Sequence, residues 1–434
     1  MNTRVIKASP IEYPALTVLP EGFPVVTERE SQKIVRPILL FLWGRYLRRG
    51  AYVPNTVNAV ADDLGVWWSY LRAAKVNWDD VSAFDVDAFR EGLSKSINPR
   101  SHEPYAEQTV IRRVRTVLTF YRYALRRGWI EEDLEHPSKD GVYLASKDGR
   151  TTNSNGDDLS SEDSLLPRRT ERSDEKVSAF SPSQYRAIAA HLGPTPSESN
   201  PQNACVRDRL WGELCLHTGM RPGEPEAISY YSILDLSPTD PRNPTGVTYL
   251  RIKGKGGNSR KVRLPNKILE WLIWYIENER KDAIRVGKLN ESFPKRSEPT
   301  ALFLNGIHAL HNAGMPMRYS SFRRAFSRAA LLASSDGSAK GLMESRLCED
   351  PDSGEKYVRQ ICTAHPHMLR HTFAVWTYCA EKKQGNNEPW KVISSLLGHK
   401  HLQTTTDIYL RAVGEFEKFV SDRQCASIKE ILES

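Results

Sequence analysis

The sequence predicts a mainly α-helical protein of two domains, with one small β-hairpin in the second domain. Apolar residues recur at the helical spacings i, i+3, i+4 and i+7 on both sides of a long polar stretch. The apolar–polar alternation that is typical of strands occurs at 247–252 and 260–264, joined by a Gly-rich segment. A chain of 434 residues exceeds what one compact core usually holds, so two domains and a linker are expected.

Composition divides the chain into four segments. Residues 1–30 are rich in Pro and Thr without a clear period, which predicts a loosely ordered N-terminal arm, and 31–137 predict a helical domain. In 138–178, Ser, Asp, Gly, Asn and Glu dominate, and such a segment buries too little apolar area to offset its ordering entropy. We therefore expect a flexible linker there, followed by a second domain at 179–434.

The second domain has recognisable boundaries. Ser181, followed by Pro182 and Gln184, predicts a helix start with a capping box. The polar segment 334–356 predicts a surface loop, and apolar residues at helical spacing in Glu415–Leu432 predict a C-terminal tail helix.

The segment Thr109–Arg127 predicts an amphipathic helix with a cationic face. One side is apolar, and the charged residues include six arginines and no acid. A solvated helix usually mixes charge signs to gain ion pairs, so this pattern favours contact with nucleic-acid phosphates. The candidate DNA contacts are Arg112, Arg115, Arg122 and Arg126.

Bulk properties narrow the class of protein. The formal charge of +8 suits a polyanionic partner, although charge alone decides little. The six cysteines are scattered and include no C-x-x-C pair, which fits a reducing compartment and predicts neither a disulfide framework nor a zinc site. No secretory layout is visible at the N-terminus, and no apolar run approaches the ~20 residues that span a bilayer. We expect a cytoplasmic protein without a membrane partner.

Four short segments contain chemically useful groups: 217–224 (HTGMRPGE), 253–259 (KGKGGNS), 367–372 (HMLRHT) and 396–409 (LLGHKHLQTTTDIY). Each segment alone has an ordinary structural explanation, such as a surface arginine or a half-buried tyrosine. Together they supply six candidate catalytic residues: Arg221, Lys255, His367, Arg370, His399 and Tyr409.

These six residue types suit phosphodiester exchange without a metal or cofactor. Two arginines hold the non-bridging oxygens of a phosphate, where negative charge builds during attack. Tyrosine is a weak nucleophile whose proton must be removed, and the departing oxygen must receive one. Histidine and lysine can do both. No carboxylate cluster suitable for Mg²⁺ accompanies them.

In their order along the chain, these motifs resemble the tyrosine recombinases, or phage integrase family. The matching series is T-G-x-R-x-x-E, a hairpin lysine, H-x-L-R-H-T, L-G-H and then a tyrosine, across roughly 179–412. The basic helical segment 31–137 is similar to the family's core-binding domain. The resemblance implies a helical core-binding domain, a mixed α/β catalytic domain, and a homo-oligomer, a tetramer, on double-stranded DNA.

The resemblance also implies a role for each residue. Tyr409 would attack the scissile phosphate to leave a 3′-phosphotyrosyl link and a free 5′-hydroxyl. Arg221 and Arg370 would clamp the phosphate, and Lys255 would protonate the leaving oxygen. His367 would be the acid/base, and His399 would hydrogen-bond the phosphate. Lys253 is the alternative hairpin lysine, but the G-K-G setting favours Lys255.

The main hypothesis is a site-specific recombinase or integrase, acting for a mobile element. A type IB topoisomerase-like enzyme would use the same chemistry without partner sites. A catalytically inactive DNA-binding protein is the third alternative, although all six groups are present. The apolar face of the tail helix would suit a neighbouring protomer, or equally its own domain.

Overall fold

The computed structural model describes residues 2–8, 19–50, 52–134, 178–198, 205–236, 243, 246–254, 259–294 and 297–398. Their contacts divide the chain into two units, Met1–Ser173 with Leu347–Val358, and Asp174–Arg346 with Arg359–Ser434. The architecture is mainly α, as predicted. Most of the predicted linker and the predicted tail helix Glu415–Leu432 lie outside the described residues. Among the described helices, none is long and apolar enough to cross a membrane.

The first unit contains four α-helices in its described part. They are α1 Arg36–Leu42, α2 Pro54–Ala74, α3 Ala83–Lys95 and α4 Glu107–Arg126. Trp43–Leu47 continues α1 as a π-helical turn. A proline at the first turn starts α2, and a capping box between Ser82 and Asp85 starts α3. These helices enclose an aromatic-rich core that includes Phe41, Trp67 and Phe120.

The N-terminal residues of this unit are ordered as a strand pair, contrary to the expected loosely ordered arm. Strand β1 (Thr3–Lys7) pairs antiparallel with β2 (Pro24–Glu28). Phe23 and Val26 are fully buried in the helical core, and the Thr3 hydroxyl donates to the Gly65 carbonyl in α2 at 2.7 Å. The expectation of an arm was wrong for 2–8 and 19–30 because these apolar residues pack against a distant helix.

The second unit is built from eight described α-helices and a central hairpin. The helices are α5 Pro182–Leu192, α6 Arg207–Thr218, α7 Tyr231–Leu234, α8 Asn266–Glu277, α9 Glu279–Leu289, α10 Tyr319–Ser335, α11 His367–Lys383 and α12 Pro389–Leu397. Short 3₁₀ turns occupy Glu224–Ala227 and Ile307–Asn312. Ser181 and Gln184 form the predicted capping box of α5. The chain breaks between α8 and α9 at Asn278.

The predicted hairpin is present as β3 (Val247–Lys253) and β4 (Ser259–Pro265), in register from Val247 opposite Pro265 to Lys253 opposite Ser259. Its inner face, including Leu250 and Val262, joins a core centred on Trp211. The Trp211 ring lies 5.0 Å from that of Phe303 and 5.2 Å from that of Phe322.

A further hairpin replaces the predicted surface loop. Strands β5 (Met343–Glu349) and β6 (Lys356–Cys362) form a two-stranded sheet within and just beyond 334–356. Most of their residues are exposed, so the strands lack the one-sided alternation by which a sequence reveals a half-buried strand.

Candidate active site

The first candidate arginine, Arg221, lies in a turn that α6 and a buried tryptophan hold in place. Helix α6 ends at Gly219, whose positive φ of 67° reverses the chain direction, as glycine does readily. The Trp211 Nε1–H donates to the Pro222 carbonyl at 2.9 Å. The turn directs Arg221 outward with its side chain 37% exposed, which leaves it accessible to an anionic ligand.

The carboxylate of Glu224 holds this turn in place by hydrogen bonds. It is 8% exposed and accepts the Arg221 backbone N–H at 2.7 Å and the Arg221 Nη1 at 3.1 Å. Burial acts to raise the pKa of Glu224, but hydrogen bonds and charge from Arg260, then Arg221, outweigh it and lower the pKa. Glu224 is therefore ionised and holds Arg221 by two contacts.

The second candidate arginine, Arg370, lies on the first turn of α11 and is only 2% exposed. Its Nη1 donates to the Gly219 carbonyl at 2.6 Å and its Nη2 to the Leu397 carbonyl at 2.9 Å. These carbonyls lie at the C-terminal ends of α6 and α12, where helices leave carbonyls without intrahelical partners. The guanidinium of Arg370 thus fixes the ends of both helices. The turn that carries Arg221 directly follows the end of α6.

His367 begins α11, one helical turn before Arg370. Its pKa is lowered, first by desolvation and then by the nearby charges of Arg370, His365 and Arg221. The Arg370 side chain binds the Gly219 carbonyl, two residues before Arg221, so the three candidate residues lie at one site. A neutral ring at pH 7 is suited to accept a proton.

His371 packs against His367, with ring centroids 5.1 Å apart and the planes nearly perpendicular. Desolvation, together with the neighbouring His367, His365 and Arg370, lowers the pKa of His371 to about 3. This ring is neutral near pH 7 and supports the position of His367 by packing.

Helix α11 is anchored to the beginning of the second unit. The Phe180 backbone N–H donates to the Thr372 hydroxyl at 2.8 Å, and the Trp376 Nε1–H donates to the Phe180 carbonyl at 3.2 Å. The motif threonine Thr372 therefore fixes the helix that carries His367 and Arg370.

The other three candidate residues, Lys255, His399 and Tyr409, lie outside the described residues. The strands that flank Lys255 and the helix that precedes His399 are described, and Lys253 is exposed at the end of β3. Across the described ranges, no group of three or more His, Cys, Asp and Glu residues is placed to hold a metal ion.

Two charged residues of structural importance were missed by sequence reasoning. Asp63 is buried in α2 and bonds Arg112 and the Thr116 hydroxyl, so this candidate DNA contact also neutralises a buried carboxylate. Arg260 on β4 donates two hydrogen bonds to the carboxylate of Glu224. The signal in each case is a charged residue at an apolar position of the local pattern. Asp63 lies one helical turn before the buried Trp67 in α2, and Arg260 shares its strand face with Val262.

The other three candidate DNA contacts, Arg115, Arg122 and Arg126, are exposed on α4. Their spacings of seven and four residues place them on one face of the helix, opposite the buried stripe that begins at Val110.

Known proteins of similar sequence and structure are recombinases and integrases. The chain is 23% identical over 391 residues to tyrosine recombinase XerD of Proteus mirabilis, covering 89% of this chain and 91% of that protein. It is 26% identical over 203 residues to tyrosine recombinase XerC of Chlamydia caviae, covering 46% of each. Similar solved structures include a Tn1549 transposon integrase with circular intermediate DNA (TM-score 0.48, 15% identity, 86% of this chain and 94% of that one). Another is a lambda integrase dimer bound to a COC′ core site (TM-score 0.47, 15% identity, 85% and 94%).

Together, the sequence relatives and the site define a tyrosine-type site-specific recombinase. The chain belongs to the phage integrase family, because the model for "Phage integrase family" matches residues 180–414, more than half of its 434 residues. The family membership predicted from the sequence motifs is confirmed.

Proposed function

We propose that this chain cleaves and rejoins duplex DNA at specific sites through a covalent bond between Tyr409 and a 3′-phosphate. The observation that carries the proposal is the convergence of Arg221, His367 and Arg370 at the joined ends of α6, α11 and α12. Two guanidinium groups beside a neutral imidazole suit a phosphate at which negative charge builds during attack.

In the proposed reaction, the Tyr409 oxygen forms a bond to phosphorus while the bond from phosphorus to the 5′ oxygen breaks. His367 takes the tyrosine proton, and the Lys255 ammonium gives a proton to the departing 5′ oxygen. His399 hydrogen-bonds the phosphate. One phosphodiester is exchanged for another, so a 5′-hydroxyl from a partner strand can reverse the step without an energy source or cofactor.

We further propose that the DNA backbone contacts include Arg112, Arg115, Arg122 and Arg126 on α4, with 31–137 as the core-binding domain and 179–434 as the catalytic domain. Several copies of the chain, forming a tetramer, assemble on two DNA sites in the cytoplasm and serve a mobile element. The cationic face of α4 supports the DNA contacts, and the name of the Proteus mirabilis relative, a tyrosine recombinase, supports recombination.

The test is to trap the covalent intermediate on DNA taken from the flanks of the chain's own gene. The wild-type protein should leave a protein–DNA adduct that survives denaturation, and sequencing the free 5′ ends maps the cleavage site. Tyr409→Phe removes one hydroxyl and no phosphate contact, so it should abolish the adduct while DNA affinity changes by less than about threefold.

Two outcomes would contradict the proposal. An adduct that persists in Tyr409→Phe would place the nucleophile elsewhere. Relaxation of supercoiled plasmid without any exchange between two mapped sites would indicate a relaxing enzyme in place of a recombinase.

A further inference from the structure

Arg260 is a charged residue at a largely buried position of the second unit. It lies on the inner face of β4 with Val262 and Leu264, and its side chain is only 15% exposed. Placing a guanidinium there costs desolvation energy that an ionic partner must offset. That partner is Glu224, which receives Arg260 Nη1 on Oε1 at 2.8 Å and Nη2 on Oε2 at 2.7 Å.

The same carboxylate also holds Arg221. Oε2 accepts the Arg221 backbone N–H, and Oε1 accepts the Arg221 Nη1 at 3.1 Å. Four donors therefore share two oxygens, and two of the four come from Arg260. Because Arg260 binds with both Nη groups, the planes of the guanidinium and the carboxylate are fixed relative to each other. The contact from Glu224 to the Arg221 side chain then has one orientation.

The aliphatic part of Arg260 supports a second element of the site. A Cβ placed on Gly398 would lie 2.6 Å from Arg260 Cδ and 3.3 Å from Arg260 Nε, so only glycine fits against this side chain. Gly398 has a φ of 68° and ends α12, directly after the Leu397 carbonyl that Arg370 binds. Arg260 thus touches the carboxylate behind Arg221 and the helix end beside Arg370.

We propose that Arg260 is a positioning residue for strand cleavage: it fixes Glu224, and through Glu224 it holds Arg221 in its phosphate-binding orientation. This inference rests on the proposed function of the site. Arg260 makes no contact with the DNA in this role and acts through Arg221. Without Arg260, the carboxylate of Glu224 loses two of its four donors and is free to rotate, so its contact with Arg221 Nη1 no longer has one orientation.

The test compares Arg260→Lys and Arg260→Gln with the same changes at Arg263. Arg263 lies on the same strand but on its exposed face, so it matches the change in charge without the contact to Glu224. Single-turnover cleavage is measured on a duplex carrying the mapped site, together with DNA affinity and melting temperature. Lysine keeps the charge but cannot make the two-pronged contact. We expect both Arg260 variants to cleave at least about tenfold more slowly, with affinity within about threefold of wild type.

A double-mutant cycle separates positioning from general stability. If Arg260 acts through Arg221, adding Arg260→Gln to Arg221→Ala should slow cleavage by less than about threefold, although Arg260→Gln alone slows it by at least about tenfold. Full multiplication of the two defects would overturn the proposal. Arg260→Lys that cleaves like wild type would also overturn it.

If Arg260→Gln fails to fold, a second variant that removes the charges of both Arg260 and Glu224 keeps the proposal testable. Glu224→Gln with Arg260→Gln leaves no unpaired buried charge, so it should melt closer to wild type than Arg260→Gln does. If this double variant regains both stability and the wild-type cleavage rate, Arg260 serves stability only and the proposal is wrong. Absence of an adduct in the wild-type protein would instead refute the proposed function itself.

Discussion

At the scale of single residues, the candidate site depends on side chains that hold the backbone in place. Arg370 is the clearest example, because its two Nη groups bind carbonyls at the ends of two helices that are far apart in sequence. A buried guanidinium held in this way is already oriented before DNA arrives, which lowers the cost of organising the site during the reaction.

Arg370→Lys should be a severe change despite keeping the positive charge. One ammonium group cannot reproduce the planar fork that reaches the Gly219 and Leu397 carbonyls. We expect single-turnover cleavage to fall by roughly 10²-fold or more. Arg328→Lys, an exposed arginine on α10, is the matched control and should cleave normally. Near-normal cleavage by Arg370→Lys would show that the fork is not needed.

His371 should make the fold sensitive to acid. Its pKa is about 3 when folded, against an ordinary 6.5, mainly because of desolvation. Between those values the unfolded chain binds a proton that the folded chain does not, so stability is lost as the pH falls from 6.5 towards 3. His371→Gln should lose less melting temperature between pH 7 and pH 4 than wild type does, whereas His308→Gln, at the surface, should not differ from wild type. Identical pH slopes for His371→Gln and wild type would contradict this origin.

At the scale of elements, α4 has a buried apolar face and an exposed cationic face. Val110, Val114 and Val117 belong to the core, whereas Arg115, Arg122 and Arg126 are exposed on the other side. Arg112 lies between the two faces, because it bonds the buried Asp63 while its side chain remains half exposed.

Changing Arg115, Arg122 and Arg126 together to Gln should weaken DNA binding and flatten its dependence on salt. The slope of log K against log[salt] should become less steep by about one unit for each arginine that contacts a phosphate. The same three positions changed to Lys keep their charges and are the matched control, with a slope near wild type. If the Gln variant keeps the wild-type slope, this face of α4 does not contact DNA. Arg112→Gln alone should mainly lower stability, because it leaves Asp63 short of a partner.

At the scale of the whole molecule, features with a strong local pattern could be predicted and features made by distant contacts could not. The amphipathic α4, the capping box at Ser181 and the β3–β4 hairpin follow from spacing and turn residues. The β1–β2 pair could not be foreseen, since two five-residue strands pair across a Pro-rich segment and gain stability by packing on α1 and α2.

For the candidate site, the motifs predicted Arg221, His367 and Arg370, which the structure brings together. The contact between Arg260 and Glu224 joins residues 36 positions apart, so neither residue's neighbours in sequence could indicate it.

Strand cleavage by this chain should not depend on a divalent metal. The arginines neutralise the phosphate and the proposed lysine and histidine move the protons, so no step in the proposed reaction requires Mg²⁺. Adduct formation in excess EDTA should match that in Mg²⁺, while a metal-dependent nuclease in the same buffer stops. Adduct formation only after Mg²⁺ is added would contradict the proposed chemistry.

The hydrogen bond from Thr3 to Gly65 has a consequence for the order of events during translation. The two residues are 62 positions apart, and ribosomes add roughly 5–20 residues per second. The first strand therefore leaves the ribosome several seconds, on this order of magnitude, before the helix that covers it. Phe23 and Val26 leave the ribosome after this strand, and until the helix follows, these residues, which end up fully buried, are exposed on the nascent chain and available to chaperones.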